Sequence, residues 1–176
     1  MMATFEFTLK FSLPEAESDP KAYIELLAEA GCDDALVGLG LPGRIVLEFD
    51  RESASAFEAI SSAIVDVRQA IPEAKLVEAT PDLVGLTDIA DIVQCSRQNM
   101  RKIWRTSITT FPAPIHEGKT ALWRLASVLI WLRDNNKCVV EEKLLDIAET
   151  NKQLNLAREA QAIDAAMQKN IYALVQ

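Results

Sequence analysis

The stretch Leu86–Thr106, LTDIADIVQCSRQNMRKIWRT, decides how the middle of the chain is read. Thr87 can cap a short helix whose Ile89, Ala90, Ile92 and Val93 face inward, with Asp88 and Asp91 near the positive end of its dipole. Ser96 can then cap a second helix. A capped helix of two turns, a tight corner and another cap make the layout of a helix-turn-helix. At about 100° per residue, Gln98, Arg101, Lys102 and Arg105 share one stripe of the second helix, while Met100, Ile103 and Trp104 occupy the opposite side. One face can plug a core and the other is covered with donors. In a major groove Arg and Lys can reach guanine O6 and N7, and Gln or Asn can pair with adenine. Asn99 sits at the edge of that face, and Arg97, in the first turn, is placed for phosphate. A solvated helix face has the same pattern, so the stripe alone does not decide between the two.

The chain around this stretch is acidic, with a formal charge of −8 over 176 residues. The charge is unevenly placed. Residues 1–81 carry fifteen acids and six bases, residues 82–136 seven bases and five acids, and residues 137–176 five bases and six acids. Between Gln94 and Arg124 six bases face Glu117 alone. Salt screens fields beyond roughly 10 Å, so this local excess is what a polyanion would meet.

Downstream, FPAPIHEGKTALWRLASVLIWL places two extended segments around the turn Glu117-Gly118-Lys119-Thr120, followed by a helix from about Ala126. The pattern predicts a two-stranded wing, Pro114–His116 against Leu122–Arg124, with Lys119 at its tip and Lys119 and Arg124 as phosphate contacts. Trp123 and Trp131 read as core, and His116 as a polar wing residue.

Upstream, Phe5, Phe7, Leu9, Phe11 and Leu13 alternate with polar residues, the period of a strand with one buried face. Asp19 and Pro20 open a helix that Gly31 stops. ALVGLG and RIVLEFD read as strands. A helix from about Ser53 or Ser55 buries Phe57, Ile60, Ile64, Val67 and Ile71 and stops at Pro72, and AKLVEA supplies a last strand. The order over residues 1–80 is that of a ferredoxin-like βαββαβ domain. Its helix-free face, with Glu6, Thr8, Lys10, Arg44, Val46 and Glu48, is expected to be solvated or to serve as a dimer or ligand surface. Thr80-Pro81 marks the boundary to a second domain over 82–135.

The tail, 138–176, is rich in strong helix formers and from about Val140 holds neither Pro nor Gly. Leu144, Ile147, Asn151 and Leu154 form a heptad-like seam, and the pattern then slips to Ala160, Ile163, Met167, Ile171 and Leu174. Such a slip means a stutter or a break between two helices. The stripe must be buried, by self-association or by folding back on the chain's own domains. Asn151 can set register between two copies or lie on the surface.

Other chemistry has little material. The only histidine is His116, and Cys32, Cys95 and Cys138 are odd in number and without metal spacing, as expected of reduced thiols in a cytoplasm. GLGLPG, Gly38–Gly43, lacks the spacing of a nucleotide loop and reads as a hairpin connection. No apolar run of about 18 residues or basic leader occurs, so a soluble chain without membrane contact is expected. No enzyme activity, metal or cofactor is expected either.

Asp82–Arg133, with its capped helix, Ser-capped second helix, FPxP entry and aromatic-basic wing exit, resembles the winged helix-turn-helix of the MerR, excisionase and AlpA-like phage regulators. The resemblance implies double-stranded DNA as partner, with Ser96, Arg97, Gln98, Asn99, Arg101 and Lys102 at base or backbone positions. Thr87, Arg105, Lys119 and Arg124 are counted with them. The corner has Gln94 where the family usually has glycine, and a left-handed backbone there costs about 1 kcal/mol. The expected whole is an α+β protein acting as a homodimer through the C-terminal helix, with the N-terminal sheet as a further surface. Its expected role is a bacterial or phage transcriptional regulator of repressor type, with Ser96–Thr106 in the major groove and Pro114–Arg124 on the backbone. The alternative is an antitoxin or phage-assembly adaptor that uses the same module to hold a protein partner.

Overall fold

The structure, a computed structural model, describes residues 1–14, 19–38 and 41–176. The alternation at the N-terminus becomes strand β1 (Ala3–Ser12), which buries Phe5, Phe7, Leu9 and Phe11 on one face. Asp19 caps a short turn of 3-10 helix, Pro20–Tyr23, that runs into α1 (Ile24–Glu29). Strands β2 (Ala35–Gly38) and β3 (Arg44–Ser53) follow, then α2 (Ala56–Ala70), capped by Ser55, and β4 (Lys75–Thr80). The sheet order is β2-β3-β1-β4 with every neighbouring pair antiparallel. The connection expected at Gly38–Gly43 includes Leu39 and Gly40, which lie outside the described residues.

Leu27, Ile60, Ala63 and Val67 of the two helices join the inward strand residues in one core, where Phe7 stacks on Phe49 at 5.2 Å. Phe57 is not part of it. The buried stripe of α2 runs Ala56, Ala59, Ile60, Ala63, Ile64, Val67, so Ala56 takes the inward place and Phe57 points out. One charge sits in this core. Arg51 donates to both oxygens of Asp34, to Asp66, to Ser62 and to the Gly31 carbonyl, which satisfies every donor it has. The helix-free face carries Glu6, Thr8, Lys10, Arg44, Val46 and Glu48, exposed or half-exposed, with Lys10 bridged to Glu78 at 2.7 Å.

The second half forms its own core. A two-residue strand β5 (Leu83–Val84) leads into α3 (Leu86–Ile92) and α4 (Arg97–Thr106), and β6 (Trp123–Arg124) into α5 (Leu125–Asp134). The first cap differs from expectation. β5 ends at Val84, so the helix starts at once from Gly85, whose N–H donates to Asp88 at 2.8 Å, and Thr87 falls within the first turn. The corner is a Schellman closure. Gln94 is left-handed at φ 54°, its N–H donates to Asp91 O, and the Cys95 N–H donates to Ala90 O at 2.9 Å.

The tail is two helices, α6 (Glu142–Ala160) and α7 (Ala165–Leu174), separated at 161–164 with Asp164 capping the second. The seam on α6 is spent inside the chain, which corrects its expected role between copies. Ile147 and Leu154 pack on the first core, and Leu144 and Ala148 on the second. Asn151 is fully buried and donates to the Pro81 carbonyl at 3.1 Å. Asp146 accepts from the Ala56 N–H at 2.8 Å and so closes the start of α2. α6 folds back because it bridges two cores that each leave an apolar edge, and that burial is available without a second copy.

Candidate nucleic-acid interface

Helix α4 is held from behind. Ser96 Oγ accepts from the Asn99 N–H at 3.1 Å, Met100 and Ile103 are buried, and Trp104 meets Trp123 edge to face at 6.3 Å. Phe111 packs on Trp123 and Trp131, and Trp123 donates its indole N–H to the Pro112 carbonyl at 2.9 Å. Trp123 therefore anchors both α4 and the base of the following hairpin. With the apolar side occupied, Gln98, Arg101, Lys102 and Arg105 are forced outward, and together with Thr106 they line a shallow groove of about 380 Å³. Asn99 is exposed beside them.

These cations are not neutralised from within. Among the described residues, Arg101, Lys102, Arg105 and Lys119 form no salt bridge. Arg97 does, to Asp91 at 3.3 Å, but both side chains are more than half exposed and such a pair holds weakly. A phosphate could displace it.

The wing is shorter than its sequence pattern. His116 bridges Leu122, and the Ile115 N–H donates to Leu122 O at 2.7 Å, leaving an exposed loop around Glu117, Gly118 and Lys119. Trp123 and Arg124 pair instead with Val84 and Leu83 on β5. Arg124 is thereby removed from the interface. Its guanidinium is buried against Asp82, with Glu159 at 3.5 Å, so it is a structural ion pair and not a phosphate contact.

Asp82 is the centre of a polar clasp. It is buried, and it accepts from Arg124 and from the Asn155 amide at 2.7 Å. Asn155, on α6, also accepts from the Ala79 N–H at 2.9 Å and donates to the Ala79 carbonyl at 2.8 Å. Its side chain thus pairs with the free edge of β4 as an extra strand residue would. Through these contacts β6, the linker, α6 and the sheet edge meet at one point. Sequence reasoning missed Asp82 and Asn155, whose partners lie 42 and 76 residues away. The available signal was a pair of asparagines four apart in a helix of strong formers.

The fold also brings Cys95 and Cys138 together on the rim of the second core, at the α3–α4 corner and the α5–α6 connection. Burial, and then the neighbouring Cys95, push the Cys138 thiol above its ordinary value. Among the described residues no helix is long and apolar enough to cross a membrane. Compared with family models, curated proteins and solved structures, the chain matches none of them.

Proposed function

We propose that the protein is a sequence-specific DNA-binding regulator of the cytoplasm, built as a ferredoxin-like domain joined to a winged helix-turn-helix. The strand order β2-β3-β1-β4, all antiparallel with both helices on one face, supports the first part. The α3–corner–α4 layout with a hairpin behind it supports the second. The observation that carries the function is the outward stripe Gln98, Arg101, Lys102, Arg105, backed by buried Met100 and Ile103, whose cations form no salt bridge among the described residues. In this reading α4 enters the major groove, Asn99 and Gln98 add amide contacts, and Lys119 reaches the backbone from the wing. One module makes few contacts, so two copies reading half-sites about a turn apart, or a multiple of it, complete the assembly. No step of this reading needs a catalytic group.

The test is to sequence genomic DNA retained by the purified chain and to measure affinity for the recovered motif against salt. A log-log slope near −0.9 per phosphate neutralised is expected, together with a preference for one motif. A flat salt response, or retained DNA with no common motif, would refute the reading. The adaptor alternative is favoured by one observation only, the uncovered apolar stripe of α7.

A further inference from the structure

The three thiols of the chain are unequal. Cys32 is sealed in the first core at 3% exposure. Cys95 and Cys138 are half-buried on the rim of the second core, with their side chains within hydrogen-bonding reach of one another. Burial and the Cys95 neighbour keep Cys138 in its protonated, donating form. The Cys95 thiol in turn donates to the Ser96 carbonyl at 3.6 Å. Two sulfurs far apart in the chain therefore face each other where solvent reaches both.

The backbone that carries each of them is fixed on its own. Cys95 closes the α3–α4 corner, where its N–H donates to Ala90 O at 2.9 Å and Ser96 beside it caps α4. Cys138 follows the end of α5, where Asn136 is left-handed at φ 52° and the Lys137 N–H donates to the Leu132 carbonyl at 2.9 Å. Each thiol is thus presented by a closed helix end.

We infer that Cys95 and Cys138 are a reversible oxidation site, at which a hydroperoxide converts the two thiols into a disulfide joining the α3–α4 corner to the α5–α6 connection. Cys95 is the attacking sulfur and Cys138 the resolving one, because Cys138 keeps its proton in the folded chain. The Cys95 sulfur attacks one peroxide oxygen, the O–O bond breaks, and the alcohol or water that leaves takes up the thiol proton, which makes Cys95 a sulfenic acid. The Cys138 sulfur then displaces that oxygen as water, which carries off the second proton, and the S–S bond forms. The two thiols lose two electrons and the hydroperoxide gains them. A dithiol reductant reverses the change by exchange. The bond closes a loop that contains α4, the hairpin and α5, so it stabilises this half of the chain while Gln98, Arg101 and Lys102 stay outward. The inference does not depend on DNA.

The test exposes the full chain, dilute and without DNA, to a small excess of hydrogen peroxide. The expected product is a single chain lighter by about 2 Da, the mass of the two hydrogens lost. Trypsin should release Leu76–Arg97 joined to Cys138–Lys143, and dithiothreitol should separate the two peptides. Both thiols should disappear about tenfold faster than that of Cys32, and the oxidised chain should melt above the reduced one. Cys138→Ser should stop at a Cys95 sulfenic acid, which dimedone traps, and peroxide should not raise its melting temperature. Cys95 and Cys138 reacting no faster than Cys32, a bond formed only between chains, or an oxidised chain that melts no higher than the reduced one overturns the inference.

Discussion

Asn155→Ala removes three hydrogen bonds at once, the two to Ala79 and the one to Asp82. All are buried, and water cannot readily replace them: Asn155 is 3% exposed and Asp82 1%. A net hydrogen bond contributes about 1 kcal/mol, and a buried donor or acceptor left unpaired costs about 1–3 kcal/mol. The groups left unpaired are the Ala79 N–H and carbonyl, since the Asp82 oxygen keeps its bond from Arg124. The sum is about 3–4 kcal/mol, a large part of the total stability of about 5–15 kcal/mol expected of a domain. Urea unfolding followed by circular dichroism measures it. With an m-value of about 2 kcal/mol/M, the midpoint should fall by about 1.5–2 M at unchanged slope. Gln153→Ala, on the exposed side of the same helix, is the control and should move the midpoint little. An Asn155→Ala loss under about 1 kcal/mol would mean that the amide does not close the sheet edge, and the clasp would lose its role.

Arg124→Ala should destabilise by about 3 kcal/mol in the same assay, because it strands the buried Asp82 carboxylate, and the DNA salt slope of the folded variant should stay at the wild-type value. Arg101→Ala should relax base preference at one position by about 1–3 kcal/mol, while Lys119→Ala should weaken all sequences alike and reduce the salt slope by about one, both read by binding titrations on the recovered motif and on scrambled DNA. Gln94→Gly should raise stability by about 1 kcal/mol in urea melts, since glycine takes the left-handed corner without strain. Burial, and then Asp66, push the Cys32 thiol up to about 11 from 9.0. The unfolded chain ionises first, so this contribution is fully present below about pH 9 and is lost as pH rises toward 11, at about 1.4 kcal/mol per unit. The difference between wild type and Cys32→Ala urea midpoints across that range should show the decline.

Local periodicity made most of the architecture legible. The alternation of Phe5 to Phe11, the caps at Asp19, Ser55 and Ser96, and the two-sided α4 are decided by neighbours within a few residues, and the structure has them as read. Two of the misses share a physical cause: each depended on a partner far along the chain. Arg124 looked like a wing cation because its sequence neighbours are polar or aromatic, whereas its partner Asp82 is 42 residues away. The α6 seam looked like a surface for another molecule because its period suits one, but two incomplete cores within the chain have the same need. Phe57 was misplaced by one position, which in a helix is a rotation of about 100°.

The clasp also has a consequence for how the two halves can act. A single hydrogen-bonded point ties β4 to the linker at Asp82, to α6 and to Arg124 at the root of the wing, so the sheet and α4 are not independent bodies on a loose tether. In the proposed dimer, a change in how α6 sits on the sheet would then reach the two α4 helices, and so their spacing, through this one cluster. Anything that pulls α6 from the edge of β4 must break the bonds to Ala79 and Asp82 together, and would change that spacing without touching Gln98, Arg101 or Lys102. Substitutions in the clasp should therefore alter the preferred distance between half-sites before they alter the bases read within each half-site. Selecting DNA sites of varied spacer length with Asn151→Ser, which loosens the hold of α6 on the linker at Pro81 one turn from the clasp, separates the two effects. An unchanged spacer preference alongside a changed half-site sequence would refute the argument.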